Sequence, residues 1–304
     1  MKKFSISDIE CLTNIKAHTI RVWEQRYCLI TPKRTETNIR YYDDQDLRKF
    51  LNISLLLDSG LRISEIAKMS NKEISSRILK LSECEVNGCS CTINSLCNAM
   101  LALDELMFNQ TMENSITSLS IEQTMLDVIY PFLHKVGMMW QVGTINPAHE
   151  HFITHLIKQR LIAAIHSIET VSSKVARKYM LFLPEGETHE ISLLFANYLI
   201  KSRGHHVLYL GQNLPLDDLE EVASFYDPDY IITFLISSTH FTCPNQLVQK
   251  MLETLPRWTL LVSGSLVLNN TIEPHERLKV VRHVPELIDF ITNDTEVNNL
   301  YFTC

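Results

Sequence analysis

Residues 179–190, YMLFLPEGETHE, hold an apolar run that ends in a turn with Pro and Gly and is followed by a histidine. Four more short apolar runs come after it, separated by segments of helix length. The five runs are Tyr179 to Leu183, His206 to Leu210, Tyr230 to Leu235, Thr259 to Val262 and Leu278 to Val281. Strands that alternate with helices predict a doubly wound parallel sheet, and we assign it to residues 173–304.

His189 lies directly after the first of these strands. Side chains at the carboxyl ends of parallel strands are where doubly wound sheets bind ligands. The imidazole could ligate a metal, and Glu187 could accept the other ring N–H and hold the tautomer. A surface histidine beside an incidental carboxylate is the alternative, and these two residues alone leave both open.

The segment before the sheet is helical throughout. Apolar residues recur there at spacings of three and four, and they include Leu96, Met100, Leu103, Leu106, Met125, Val128, Ile129 and Phe132. This period predicts a four-helix bundle, which we assign to residues 81–172. Within it, Trp140 would be a core residue and the Glu150-His151 pair a polar helix face.

The first 80 residues carry 15 Lys and Arg against 10 Asp and Glu, although the whole chain has a net charge of -7. A basic head on an acidic body indicates a module that binds a polyanion. Short helices separated by a turn near Thr13 predict a helix-turn-helix, and residues 33–42 predict a hairpin wing. The second helix would expose Thr19, Arg21, Glu24 and Arg26. A solvated charged face is the alternative.

Three stretches of this head, TIRVWEQRY (19–27), PKRTE (32–36) and RYY (40–42), together resemble the MerR-family winged helix over about residues 4–72. The resemblance implies binding to double-stranded operator DNA by a domain within residues 1–80. The residues it implicates are Thr19, Arg21, Arg26, Arg34, Arg40 and Tyr41. Asn38 stands at the wing tip, where the family has Gly, and Asn tolerates the left-handed conformation that the turn needs.

The sheet segment resembles cobalamin-binding domains, which have a flavodoxin-like fold. The stretches that carry this resemblance are LPEGETHE (183–190), VLYLGQNLP (207–215), Ser237-Ser238 and Ser263-Gly264. It implies that His189 is the lower axial ligand of cobalt and that Glu187 orients it. It also implies that the Ser237 and Gly264 loops line the slot for the nucleotide tail. Ser192 and Ser263 replace glycines of the motif, and each adds a side chain near the ligand.

Trp140, separated by nine residues from Glu150-His151, is similar to a signature of the light-responsive, cobalamin-dependent MerR regulators, the CarH and LitR group. In that group the bundle covers the upper face of the cofactor, so Trp140 would pack against the adenosyl group and Glu150 and His151 would bound its pocket. The resemblance implies a repressor that is controlled by adenosylcobalamin and light and forms a homo-oligomer, a dimer or a dark tetramer.

Two other functions are weighed against this one. A regulator that has lost cobalamin and keeps the fold for oligomerisation or another effector is favoured by Ser192 and Ser263. A cobalamin-dependent mutase or methyltransferase is disfavoured because the 304 residues show no pattern of a catalytic barrel or substrate domain, so we expect no enzyme. The N-terminus lacks a signal-peptide pattern and the apolar stretches are strand-sized, so we expect a cytoplasmic protein without membrane partners.

Overall fold

The structure, a computed structural model, divides into two compact units, Met1–Leu156 and Ile157–Cys304. It describes residues 4–13, 15–27, 29–35, 38–74, 76–77, 90–141, 145–169, 176–236 and 243–296. The domain boundaries at residues 80 and 172 stay predictions, since both fall outside these ranges. Among the described helices, none combines the length and the apolar character needed to cross a membrane.

The N-terminal part of the first unit is a helix-turn-helix with a small hairpin, as predicted. Its elements are α1 (Ile6–Thr13), α2 (Ala17–Tyr27), β1 (Lys33–Arg34), β2 (Arg40–Tyr41), α3 (Asp44–Asp58) and α4 (Ile63–Ile66). Helix α1 begins at a reciprocal cap. The Ser5 hydroxyl accepts the Asp8 N–H at 3.1 Å, and the Asp8 carboxylate accepts the Ser5 N–H at 2.7 Å.

The hairpin between the antiparallel strands β1 and β2 turns at Asn38. Asn38 has φ 64°, the left-handed conformation expected there. Its N–H donates to the Thr35 carbonyl at 2.9 Å, and the Thr35 N–H donates to the Ile39 carbonyl at 2.9 Å. The turn therefore forms without the family's glycine.

The helices that follow are α5 (Ser90–Ala102), α6 (Glu105–Leu119), α7 (Ile121–Thr124), α8 (Tyr130–Gln141) and α9 (Pro147–His166). Phe108 of α6 lies between two aromatic neighbours, with ring centroids 5.9 Å from Phe132 and 6.5 Å from Phe152. The Asp104 carboxylate caps α6 by accepting the Met107 N–H at 2.9 Å. Because α7 and α8 are joined without a break, these residues make the four helical segments that the periodicity predicts.

A π-helical turn, Met125–Ile129, joins α7 to α8, and the sequence did not predict it. Pro131 explains it, since a proline has no N–H to donate and its ring collides with the carbonyl four residues earlier in an α-helix. A wider turn just before it relieves that collision. The Tyr130 N–H accordingly donates to the Met125 carbonyl, five residues back.

Helix α8 also contributes to the core of the N-terminal head. Met138 is buried and belongs to the same cluster of apolar side chains as Ile9, Ile20 and Phe50. Helices α3 and α8 are in contact as well. The head and the helical segment therefore share part of one hydrophobic core within the first unit.

The second unit contains a five-stranded parallel sheet, and the predicted fold class is confirmed. Its strands are β3 (Lys178–Pro184), β4 (His206–Leu214), β5 (Tyr230–Phe234), β6 (Thr259–Ser263) and β7 (Leu278–Val280). Their order is β4-β3-β5-β6-β7. Its helices are α10 (Ile191–Ser202), α11 (Leu219–Tyr226), α12 (Pro244–Thr254), α13 (Ser265–Leu268) and α14 (Val284–Glu296), with a 3-10 turn at Leu216–Asp218.

Strand β4 runs past the residue where the sequence pattern ended it. Leu181 pairs with Tyr209 but Phe182 pairs with Gly211, so Leu210 is an extra residue on β4. Gly211 takes φ 79° at this bulge. Gly211 is therefore a bulge residue, and pairing continues to Leu214.

Candidate functional site

Glu187 and His189 form a pair in the loop between β3 and α10. The Glu187 carboxylate is 1% exposed, and its Oε1 lies 2.7 Å from His189 Nδ1. Because a carboxylate only accepts, Nδ1 carries the proton and Nε2 is the ring nitrogen that would bind a metal. The His189 side chain is 42% exposed, so the ring is held at Nδ1 and is partly accessible to solvent.

Backbone donors hold the Glu187 carboxylate in place. Oε1 also accepts the N–H groups of Thr188 and His189, each at 2.9 Å. Oε2 accepts the N–H of Ile236, two residues after β5, at 2.8 Å. Strands β4 and β5 flank β3 on opposite sides, so this carboxylate lies at the topological switch point of the sheet, where such folds bind ligands.

Glu190, the next residue after His189, has two partners that the sequence did not reveal. Lys158 Nζ lies 2.8 Å from its Oε2, and the Tyr209 hydroxyl donates to its Oε1 at 2.9 Å. Burial, and then the Glu190 carboxylate, raise the pKa of the Tyr209 phenol. The hydroxyl is therefore a donor at ordinary pH.

Gly264 approaches the end of β5 closely. It has φ 109°, and a Cβ built on it would lie 2.4 Å from the Leu235 carbonyl oxygen. The hydroxyl of the preceding Ser263 donates to the Val281 carbonyl at 2.7 Å, so this side chain is bonded within the sheet domain. Ser192 is partly buried in the first turn of α10. Ser237 lies outside the described residues.

The residues expected above the cofactor all lie in the first unit. Trp140 is partly exposed near the end of α8, and Glu150 is partly exposed in the first turn of α9. His151 is exposed, and its ring stacks on that of His155 with centroids 6.4 Å apart. Their assignment to a cofactor pocket stays a prediction.

The arginines that α2 exposes are the expected ones, but a neighbouring side chain that was also expected to be exposed is covered. Arg21 and Arg26 are exposed, and Thr19 is partly exposed. The expectation that Glu24 is exposed is wrong, because its side chain is 9% exposed. The Tyr42 hydroxyl donates to Glu24, and Arg40 Nε lies 3.7 Å from it. The sequence could not reveal this, since the partners come from β2 and beyond.

The wing cations are partly engaged by the protein itself. Arg34 is exposed, and its Nη1 donates to Asn38 Oδ1 at 2.7 Å. Arg40 is paired with Glu24, and Tyr41 is partly buried. The Lys33 ammonium contacts the Asp43 carboxylate, and this contact is the main cause that lowers the pKa of Asp43 to about 2. Arg21 and Arg26 therefore present their charge to solvent more fully than the wing residues do.

Two family models match the chain. The model for the MerR HTH family regulatory protein matches residues 4–73, and the model for a B12 binding domain matches residues 92–164. The second match covers the helical segment with Trp140, Glu150 and His151. The MerR match indicates DNA binding by the head.

CarH of Myxococcus xanthus, an HTH-type transcriptional repressor, is 26% identical over 279 residues, which cover 88% of this chain and 91% of CarH. CarA of the same organism, also an HTH-type transcriptional repressor, is 24% identical over 228 residues, 74% of each chain. Among solved structures, a Methanosarcina barkeri monomethylamine corrinoid protein matches with a TM-score of 0.54 at 11% identity, over 68% of this chain and 99% of that one. This last likeness concerns the fold alone. The chain therefore has a MerR helix-turn-helix match and a B12 binding domain match, and over most of its length it is similar to a transcriptional repressor.

Proposed function

We propose that this regulator is a repressor whose operator binding and oligomeric state are controlled by adenosylcobalamin and light. The observation that carries the proposal is the hydrogen-bonded Glu187-His189 pair at the switch point of a parallel sheet, in a chain with a MerR head. The CarH and CarA relatives are both named repressors, which supports repression rather than activation.

The donor set suits a cobalamin. Metal-bound histidines commonly donate their second ring N–H to a carboxylate, which is the arrangement of His189 and Glu187. His189 would ligate cobalt through Nε2, and Trp140, Glu150 and His151 would bound the adenosyl side. Adenosylcobalamin supplies a cobalt–carbon bond that light cleaves.

Control of assembly follows from differential affinity. A ligand shifts an equilibrium between assembly states only to the extent that it binds those states unequally. A winged helix reads one half-site, and a two-fold operator matches a two-fold protein. We therefore propose a protein that is at least dimeric on DNA, and a tetramer in the dark by its resemblance to the CarH group.

The test loads the protein with adenosylcobalamin in darkness and records its visible spectrum, elution volume and operator affinity before and after green light. We expect bound cobalamin in the dark and a change in both oligomer mass and operator affinity on illumination. Identical elution and identical affinity in the two states would remove the photoreceptor function. A monomer on operator DNA by sedimentation would contradict the dimer.

The alternative is a regulator that keeps the fold without the cofactor, and Ser192 and Ser263 support it. If no cobalamin is retained in the dark, Ser192→Gly and Ser263→Gly are combined. Restored binding would show that the two side chains close the site and would favour the alternative. The hydrogen bond from Ser263 to the Val281 carbonyl predicts that the Ser263 change also lowers stability, by about 1 kcal/mol.

Removal of Arg21 and Arg26 should weaken operator binding more than removal of Arg34 and Arg40, because the wing arginines are partly engaged by Asn38 and Glu24. For Arg21→Ala alone we expect a loss of about 1–3 kcal/mol if the side chain contacts a base edge. Fluorescence anisotropy with labelled operator measures the affinities. Arg257→Ala is the control, since Arg257 is an exposed arginine of the other unit that pairs with Asp227. Unchanged affinity in both double variants would remove the assignment of these four arginines.

A further inference from the structure

Lys158, Glu190 and Tyr209 form a polar cluster next to the proposed cobalt ligand, and the function described so far does not use it. Glu190 accepts from the Lys158 ammonium at 2.8 Å on one oxygen and from the Tyr209 hydroxyl at 2.9 Å on the other. The Lys158 and Glu190 side chains are only 16% and 17% exposed. This ion pair is therefore better shielded from water than an ordinary surface pair.

The backbone of Glu190 links the cluster to the His189 loop. The Glu190 N–H donates to the Thr188 carbonyl at 2.9 Å, which closes a tight turn around His189. The Glu190 carbonyl accepts the Leu194 N–H at 2.9 Å and so starts α10. The turn that carries the imidazole therefore ends at the residue whose side chain joins the cluster.

The side chain of Glu190 is in turn fixed by two separate elements. Tyr209 lies on β4, beside the bulge at Gly211, and a Cβ on Gly211 would lie 3.7 Å from Glu190 Oε1. Lys158 lies on α9, about 12 Å along the helix from Glu150, given a rise of 1.5 Å per residue. The helix that carries two of the predicted upper-face residues thus also carries the cation that holds Glu190.

We propose that Lys158 and Tyr209 are positioning residues that act through Glu190 to hold His189 in the orientation for axial ligation, and that they couple this ligation to helix α9. The inference rests on the proposed cobalamin function. Glu187 sets the tautomer of the His189 ring, whereas the Lys158-Glu190-Tyr209 cluster positions the loop that carries this ring. Loss of the lysine charge leaves a shielded carboxylate without its cation, and we expect the carboxylate to turn toward water and to displace the loop with it.

The experiment compares wild type, Lys158→Met, Lys158→Arg and Tyr209→Phe, each loaded with adenosylcobalamin in darkness. The readouts are the dissociation constant by equilibrium dialysis and the visible bands that separate nitrogen-ligated from water-ligated cobalt, with His189→Ala as the spectral reference. For Lys158→Met we expect a spectrum shifted toward that reference and a dissociation constant about tenfold to a hundredfold higher. Lys158→Arg should restore both, and Tyr209→Phe should show a smaller change of the same kind.

Lys178→Met is the matched control, because Lys178 begins β3 at the opposite end from His189 and contacts Tyr226. A Lys158→Met variant that melts at a lower temperature but keeps the wild-type spectrum and affinity would show a structural role only and overturn the inference. Tyr209→Phe, which removes one hydroxyl, carries the test if Lys158→Met does not fold. Wild type that binds no cobalamin would overturn the proposed function and this inference together, whereas nitrogen-ligated wild type with unchanged variants would overturn the inference alone.

Discussion

His189→Ala is expected to lose more than about a hundredfold in cobalamin affinity, since removal of a ligand should exceed the tenfold to hundredfold effect of an outer partner. The reason is the geometry of the ring, which Glu187 Oε1 fixes at 2.7 Å through Nδ1 so that Nε2 can bind cobalt. Equilibrium dialysis in darkness measures the loss. His206→Ala is the control, since His206 is an exposed histidine at the start of β4 in the same unit. Equal binding by wild type and His189→Ala would make His189 a surface residue.

Glu187→Gln in the same experiment should lose less affinity, about tenfold to a hundredfold. Here a second effect accompanies the loss. Glu187 accepts three backbone N–H groups with its two oxygens. A glutamine has one acceptor oxygen, so at least one of those donors meets an amide N–H instead, which costs about 1–3 kcal/mol of stability. Thermal melts of the cofactor-free variants separate the two effects, since His189→Ala should melt near wild type.

Gly264→Ala is expected to destabilise the sheet unit by about 3 kcal/mol or more, because two penalties combine. At φ 109° and ψ 161° the backbone lies in a region that only glycine adopts readily, with a strain of about 1–3 kcal/mol. The new Cβ would also lie 2.4 Å from the Leu235 carbonyl oxygen and 2.9 Å from its nitrogen, and backbone atoms of a strand end cannot move aside cheaply.

Gly204→Ala separates the two penalties by experiment. Gly204 also has a positive φ, 82°, but a Cβ there meets nothing within 4 Å, so this variant carries the backbone strain alone. Chemical denaturation of both variants should place Gly264→Ala well below Gly204→Ala in stability. Equal destabilisation would contradict the additional penalty expected at Gly264.

The sequence predicted what depends on local pattern and spacing. Apolar runs between helices predicted all five strands of the sheet. The resemblance to cobalamin-binding domains implied the contact between Glu187 and His189, which the two residues alone had left open. The bulge at Gly211 was not predicted, since it depends on pairing with a second strand.

Features that depend on partners far away along the chain were not predicted, for the same reason. Glu24 was predicted to be exposed because helical position alone places it beside Arg21, yet Tyr42 and Arg40 cover it. Nothing near Glu190 in the sequence indicates Lys158 or Tyr209, which the fold brings in from α9 and β4. The π-helical turn had a local signal in Pro131, which periodicity alone does not use.

The burial of Met138 in the core of the head limits where this regulator can be divided into stable fragments. A fragment that ends before α8 would lack Met138 and would leave the part of that core next to α3 less well covered. Each buried methylene group is worth about 0.8 kcal/mol, so such a fragment should be less stable and more prone to aggregate than the head of the intact chain. Chimeras that graft this head onto another sensor would have to bring α8, or an apolar substitute for Met138, with it.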